Sequence, residues 1–328
     1  MAGEDSFARG DDTGPVDVVD LDAVAFLIRP HLRPTTFIES EGLDEAVGAP
    51  VRIASETFQH TGSFKFRAGL AAALHAQAEH LITASSGNFG AALALAARRA
   101  GKRCTVVMPA QSSEVKIAAV RRHGATVELI DTTQISRAAR VEELKRAMPE
   151  AHAVSAYDDP YVIAGNATLG AEIFAAGATD VVVVPVGGGG LSSGIVAARN
   201  RAARGCKVVG AEPLLANDAA RSLRAGVLCK NDGEPATLCD GARASLGQRN
   251  FAILRRGIED IVEVTEENVV RALRLLYDRA NLKVEPTGAL AVAAVLQEPA
   301  RFAGARVTCV VSGGNVDATL YARLLAGS

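Results

Sequence analysis

Val-Val-Val-Val-Pro-Val-Gly-Gly-Gly-Gly-Leu, residues 181–191, is the stretch that decides the fold. A run of valines this apolar reads as a strand buried on both faces, as in a parallel sheet covered by helices. Four glycines follow it, and a helical pattern begins near Leu191. Successive glycines let backbone N–H groups converge and a helix N-terminus adds positive dipole character, so the turn suits a phosphate. A P-loop is excluded because no Gly-Lys-Ser/Thr follows, and the turn lacks the Gly-x-Gly-x-x-Gly form of a dinucleotide site.

Strand and helix patterns alternate on both sides of this stretch. Upstream, LITAS (81–85) precedes a helix to Ala100, with Gly101 placed to end it. CTVVM (104–108), a helix through Val120, TVELI (126–130), the amphipathic ISRAARVEELKRAM (135–148) and AHAVSAY (151–157) follow, then a helix near 167–176. Downstream lie KVVGAE (207–212), the helix ENVVRALRLLYDRA (267–280), a helix after Pro286 and the strand VTCVVS (307–312). This alternation predicts an α/β fold with two lobes, mainly parallel sheets and flanking helices. Ligands of such sheets sit at the carboxyl ends of the strands. Three loops there carry unusual residues, Ser85-Ser86-Gly87-Asn88, the glycines 187–190 and Ser312-Gly313-Gly314-Asn315, and all three are expected to face one crevice.

The totals narrow the function. A chain of 328 residues suits two domains, or one large body with an inserted lobe. Lys+Arg 35 against Asp+Glu 37 leaves a net charge of −2, so no basic field marks nucleic acid as a partner. Five scattered cysteines without a Cys-x-x-Cys pair read as reduced thiols of a cytoplasmic protein. No apolar run reaches the ~18 residues of a membrane span. Residues 1–15 are acidic and lack the apolar segment of a signal peptide; they read as a disordered tail before an ordered start near Val16.

Thr61-Gly62-Ser63-Phe64-Lys65-Phe66-Arg67 is the second informative segment. Lys65 alone has two readings: a solvated surface lysine, or an amine desolvated by its phenylalanine neighbours and so made nucleophilic. A phosphate loop elsewhere in the chain favours the second, because cofactor lysines and phosphate sites occur together.

These segments, with Glu212-Pro213, DGARASLG (240–247), VEPTGA (284–289) and SGGN (312–315), resemble in order the fold-type II pyridoxal-phosphate enzymes, and within them the threonine dehydratase and serine racemase group. The resemblance runs from about Arg33 to the C-terminus. It implies a tryptophan synthase β-like fold, with a large cofactor-binding domain at 16–78 and 158–328 and a small domain inserted at 79–157. Lys65 is implied as the lysine that holds pyridoxal 5′-phosphate as a Schiff base. Phe64 and Gly241 are implied on opposite ring faces, Asn88 at the ring 3-hydroxyl, Gly187, Gly188, Gly189, Gly190 and Leu191 around the phosphate, and Ser312 at the pyridine nitrogen. A hydroxyl at that nitrogen, in place of a carboxylate, favours elimination over transamination. The backbone amides of Ser86, Gly87 and Asn88 are implied to receive a substrate carboxylate.

Four further features carry paired readings. Ser86 resembles the racemase serine that exchanges a proton on the face opposite the lysine, and is also placed to cap a helix. Glu212, the carbonyl of Ala216 and Asp218 repeat the spacing of the racemase group's divalent-cation site, for Mg²⁺ or Ca²⁺; carboxylates at this spacing are also common on solvated loops. Arg137 resembles a mobile-lobe arginine that engages ligand carboxylates, or is a solvated helix residue. Glu285 resembles a glutamate near the ring, or caps the helix that begins at Pro286. Phe89 stands where histidine is usual, Ala54 where lysine is, and Asn166 where glutamine is. The resemblance implies a serine/threonine ammonia-lyase that converts a small hydroxy-amino acid to a 2-oxo acid and ammonia. Serine or aspartate racemisation and hydroxyaspartate dehydration are the alternatives, and a cytoplasmic homodimer is the expected form.

Overall fold

The computed structural model describes residues 19–326, so the tail expected at 1–15 and the start expected near Val16 lie outside the described residues. The strands are β1 (Thr36–Glu39), β2 (Val51–Ser55), β3 (His80–Ala84), β4 (Arg103–Pro109), β5 (Thr126–Ile130), β6 (His152–Ala153), β7 (Val181–Pro185), β8 (Lys207–Pro213), β9 (Asp260–Val264) and β10 (Val307–Val311). They form a six-stranded sheet in the order β1-β2-β10-β7-β8-β9 and a four-stranded sheet in the order β5-β4-β3-β6. All pairings are parallel except β1 with β2, where Thr36 faces Ser55 and Glu39 faces Arg52. The fold is α/β with mainly parallel sheets and flanking helices, as the alternating pattern predicts.

Every residue of β7 and β10 is buried, which explains the valine-rich sequence of both: each has neighbouring strands on both edges and helices over the sheet. Because β2, β10 and β7 are parallel neighbours, their carboxyl ends open at one edge. The chain leaving them is the segment to Phe64, the SGGN loop and the glycine loop.

Three helices cover this region at short range. Lys65–His75, Pro160–Ala175 and Gly190–Ala202 are rich in alanine and glycine where they touch. A Cβ on Gly165 would lie 2.5 Å from the Arg67 carbonyl oxygen, and one on Gly194 would lie 2.7 Å from the Asn166 side chain. The backbones therefore approach closer than any larger residue permits. The second helix starts at Pro160, earlier than the 167 expected, because Asp159 caps it by accepting from the N–H of Tyr161 (2.8 Å) and Val162 (3.0 Å). Gly101, at φ 72, ends the helix Asn88–Arg99 as its position predicts. Among the described residues no helix is long and apolar enough to cross a membrane.

Candidate active site

Lys65 stands at the first position of its helix, after a turn clipped to the end of β10. The Phe64 N–H donates to the Ser312 carbonyl (3.0 Å), the Gly314 N–H donates to the Gly62 carbonyl (3.0 Å), and Ser63 forms an antiparallel bridge with Gly313. The Lys65 Nζ donates to the Ala156 carbonyl at 2.9 Å. It lies 4.9 Å from the centre of the Phe64 ring and 5.7 Å from that of Phe89. Burial pushes this amine down to about 8, against the opposing pull of Glu285. The apolar surroundings of Lys65 come partly from Phe89, a buried residue at 2% exposure; no polar histidine stands there.

Asn88 opens the next helix, and its Nδ2 donates to both oxygens of Glu285, at 2.8 and 3.2 Å. Glu285 occupies the N-cap position before Pro286, yet its side chain makes no cap bond. Burial pushes its carboxyl up to about 8; Asp240 adds to this, and Asn88, Lys116 and Lys65 oppose it. Ser86 does not cap its helix: Gly87 is the N-cap residue, and Ser85 Oγ accepts from the N–H groups of Gly87 (3.3 Å) and Gly90 (3.1 Å). Ser86 is left partly exposed, and its Oγ accepts from Arg137 Nη1 at 3.4 Å. Arg137 is an exposed residue at the start of the helix Arg137–Ala147.

The glycine loop is closed in on all sides. A Cβ on Gly187 would lie 2.9 Å from the Ala242 Cα, and one on Gly188 2.5 Å from the Tyr157 ring. On Gly189 it would lie 2.6 Å from Leu246, and on Gly190 2.6 Å from the Tyr157 carbonyl. Gly187 and Gly189 also sit at φ 60 and 88, the left-handed region that glycine tolerates. The loop carbonyls are occupied: Gly188 accepts from Asn250 Nδ2 (2.8 Å), Gly189 from Ser192 Oγ (3.1 Å) and Gly190 from Asn166 Nδ2 (3.0 Å). The first-turn N–H groups of the helix Gly190–Ala202 have no intrahelical acceptor, so the loop presents donors. Leu191 lies buried in that first turn. Gly241 borders the loop through its carbonyl, and its own N–H donates to Thr287 Oγ1 at 3.1 Å.

Tyr157 carries much of this arrangement, and it does not stand out in the sequence. Tyr157 adjoins Ala156, the acceptor of Lys65, and packs on Gly188 and Gly190, so one pair of residues links amine and loop. The Asp-Asp-Pro cap that follows it is the only local signal.

Glu212 and Asp218 lie behind the loop, both at 0% exposure. Glu212 accepts from the N–H of Ala219 (3.2 Å) and Ala220 (2.9 Å), and Asp218 from the Leu246 N–H and Asn231 Nδ2, each at 2.8 Å. Burial pushes Glu212 up to about 8 and also raises Asp218. Ala216 is buried beside them in the turn Leu214–Ala216. Among the described residues there is no group of three or more His, Cys, Asp or Glu placed to hold a metal.

A glycine loop that presents backbone donors and a desolvated lysine, linked through Ala156 and Tyr157, point to a single cofactor, and residues 28–313 match the family described as pyridoxal-phosphate dependent enzyme. The chain belongs to this family. L-threo-3-hydroxyaspartate ammonia-lyase of Pseudomonas sp is 38% identical over 89% of this chain and 93% of its own length. Serine racemase of Homo sapiens is 33% identical over 93% and 92%. Among solved structures, a T.th. threonine deaminase superposes with a TM-score of 0.84 at 38% identity, covering 90% of this chain and 97% of that one. The fold is that of the fold-type II pyridoxal-phosphate enzymes. The residues present fit the cofactor: none of the four glycines has room for a Cβ, the first-turn N–H groups are free to donate, and Ser193 Oγ, buried without a partner, can donate one bond more.

Proposed function

We propose that this pyridoxal-phosphate enzyme is an ammonia-lyase for 3-hydroxyaspartate, converting it to oxaloacetate and ammonia. The observation that carries the reading is Arg137, a guanidinium held 3.4 Å from Ser86 Oγ at the mouth of the crevice. A substrate whose α-carboxylate rests on the amides of Ser86, Gly87 and Asn88 directs a β-carboxylate toward that cation. L-Serine and L-threonine, the substrates the sequence alone favours, carry no β-carboxylate for Arg137 to bind. The hydroxyaspartate lyase relatives support the same choice.

The roles follow from position. Glycines 187–190 and Leu191 would take the phosphate, Phe64 and Gly241 would flank the ring, and Asn88 and Glu285 would meet its hydroxyl. Ser312 would bond the ring nitrogen. The bound cofactor supplies an electron sink for the pair left on the α-carbon. Lys65, partly free base near neutral pH because of its burial, is placed to take the α-proton; the β-hydroxyl would leave with that proton as water, and the released enamine would take up one water to give oxaloacetate and ammonia. Glu212, the Ala216 carbonyl and Asp218 would be the ligands of a Mg²⁺ or Ca²⁺, which would have to displace the N–H groups that the two carboxylates now accept from.

Racemisation is the second reading, favoured by Ser86, whose hydroxyl is uncommitted to any helix cap. One assay separates the two. Holoenzyme is given L-threo-3-hydroxyaspartate, L- and D-serine and L-threonine, with oxo acid and residual enantiomers both measured. Oxaloacetate formation is expected to exceed pyruvate and 2-oxobutyrate formation. Arg137→Leu is expected to raise KM for hydroxyaspartate about tenfold to a hundredfold while leaving serine unaffected. Inverted serine with little oxo acid would sink the lyase assignment.

A further inference from the structure

Asn315 is exposed at the end of the SGGN loop and makes two hydrogen bonds from one nitrogen: its Nδ2 donates to the Thr61 carbonyl at 2.7 Å and to Asn88 Oδ1 at 2.9 Å. We infer that Asn315 is the positioning residue that decides which end of the Asn88 amide faces the cofactor ring. The inference rests on the reading of Asn88 as the ring-hydroxyl contact.

A carboxamide is nearly symmetric in shape and opposite in function at its two ends, so its orientation is set by its neighbours. The Thr61 carbonyl can only accept, which fixes nitrogen at that end of Asn315. The same nitrogen faces Asn88, so Asn88 presents its oxygen there. Its Nδ2 is thereby turned to Glu285 and the crevice. Glu285 cannot make this choice itself: its carboxyl is pushed up to about 8, and near neutral pH it can either donate or accept. A backbone carbonyl does not titrate, so the choice made by Thr61 and Asn315 holds across that range.

The backbone is shaped to bring these groups together. Thr61 sits at φ 62, a conformation that only one other non-glycine residue, Asn281, adopts among the described residues. Gly62, at φ 76, follows it, and a Cβ there would collide with the Asn315 amide. The bond from the Gly314 N–H to the Gly62 carbonyl locks the two loops together. Three separate segments, TGSFK, SSGN and SGGN, thus converge on one amide orientation.

The test uses full-length enzyme, pyridoxal 5′-phosphate as the probe, and two readouts: the cofactor dissociation constant and the pH dependence of the bound cofactor's visible band. Asn315→Asp replaces the donor by an acceptor of equal size. It is expected to raise the dissociation constant about tenfold and to shift the pH profile of the band. Asn315→Ser deletes the amide without adding charge, and about a threefold rise is expected. Asn88→Ala is expected to weaken binding too, and adding either Asn315 substitution to it should have no further effect. Full additivity in the double variants, or unchanged readouts in both Asn315 variants, would overturn the inference while leaving the Asn88 assignment intact. An Asn88→Ala enzyme that binds cofactor normally would overturn both.

Discussion

Replacing Arg67 by methionine tests how the lysine-bearing helix is held. Arg67 is two residues beyond Lys65 and fully buried. Its Nε and Nη2 donate to the two oxygens of Glu56, at 2.8 and 2.9 Å, and its Nη1 donates to Glu172 at 2.6 Å and to Thr168 Oγ1 at 3.1 Å. Glu56 is 1% exposed, so Arg67→Met leaves a carboxylate in the core with only Thr35 Oγ1, at 2.9 Å, to meet it. The Glu172 side chain is 23% exposed and solvated in part, so Glu56 sets the magnitude. Stranding one member of a buried ion pair costs about 3–5 kcal/mol. At roughly 1.5 °C per kcal/mol for a chain of 328 residues, the melting midpoint should fall by about 4–8 °C. Circular dichroism melts of holoenzyme measure it, and Glu56→Gln on the Arg67→Met background should recover more than half the loss. A fall of under about 3 °C, or no recovery in the double variant, would refute the view that an uncompensated charge is what the site cannot tolerate.

Three other perturbations bear on the site. Gly188→Ala should displace the Tyr157 ring and raise the dissociation constant for pyridoxal 5′-phosphate about tenfold, leaving that for unphosphorylated pyridoxal unchanged; equal losses for both would show that the loop does not hold phosphate. Because the Lys65 amine is held down to about 8 and only its free base attacks an aldehyde, cofactor capture should speed up about tenfold per pH unit below 8 and level off above it. A break nearer the usual lysine range would mean the amine is solvated. Mg²⁺ or Ca²⁺ should raise the melting midpoint of the native enzyme and not that of Asp218→Asn; an equal rise in both would place the cation elsewhere.

What was legible in the sequence was whatever depends on neighbours in the chain. The valines of β7 and β10 announce burial on both faces, and the glycine loop announces itself by having no alternative use. Contacts across the fold were not legible. Glu285 carries the sequence signature of a cap before proline, and only the approach of Asn88 from the other sheet turns its side chain away. Ser85 and Ser86 are identical in type, and the geometry of the turn alone gives the first the N–H groups of Gly87 and Gly90 and leaves the second to Arg137. The weakly patterned TFIE of β1 pairs antiparallel at a sheet edge, where no buried run is needed to mark it. Arg67 closes the TGSFKFR segment, but nothing near it in the chain marks it as buried until Glu56, Thr168 and Glu172 close around it.

The strand order β2-β10-β7 has a bearing on how the chain is made. During synthesis β2 and β7 leave the ribosome long before Val307–Val311, the segment that lies between them. Each then carries a bare inner edge, with N–H and carbonyl groups open to any passing strand. Such late, long-range pairing is slow and favours aggregation before it completes, so nascent chains should depend on chaperones to shield these edges. A premature stop before Val307 therefore gives a polypeptide with an open seam through its main sheet, fit for degradation and not for catalysis.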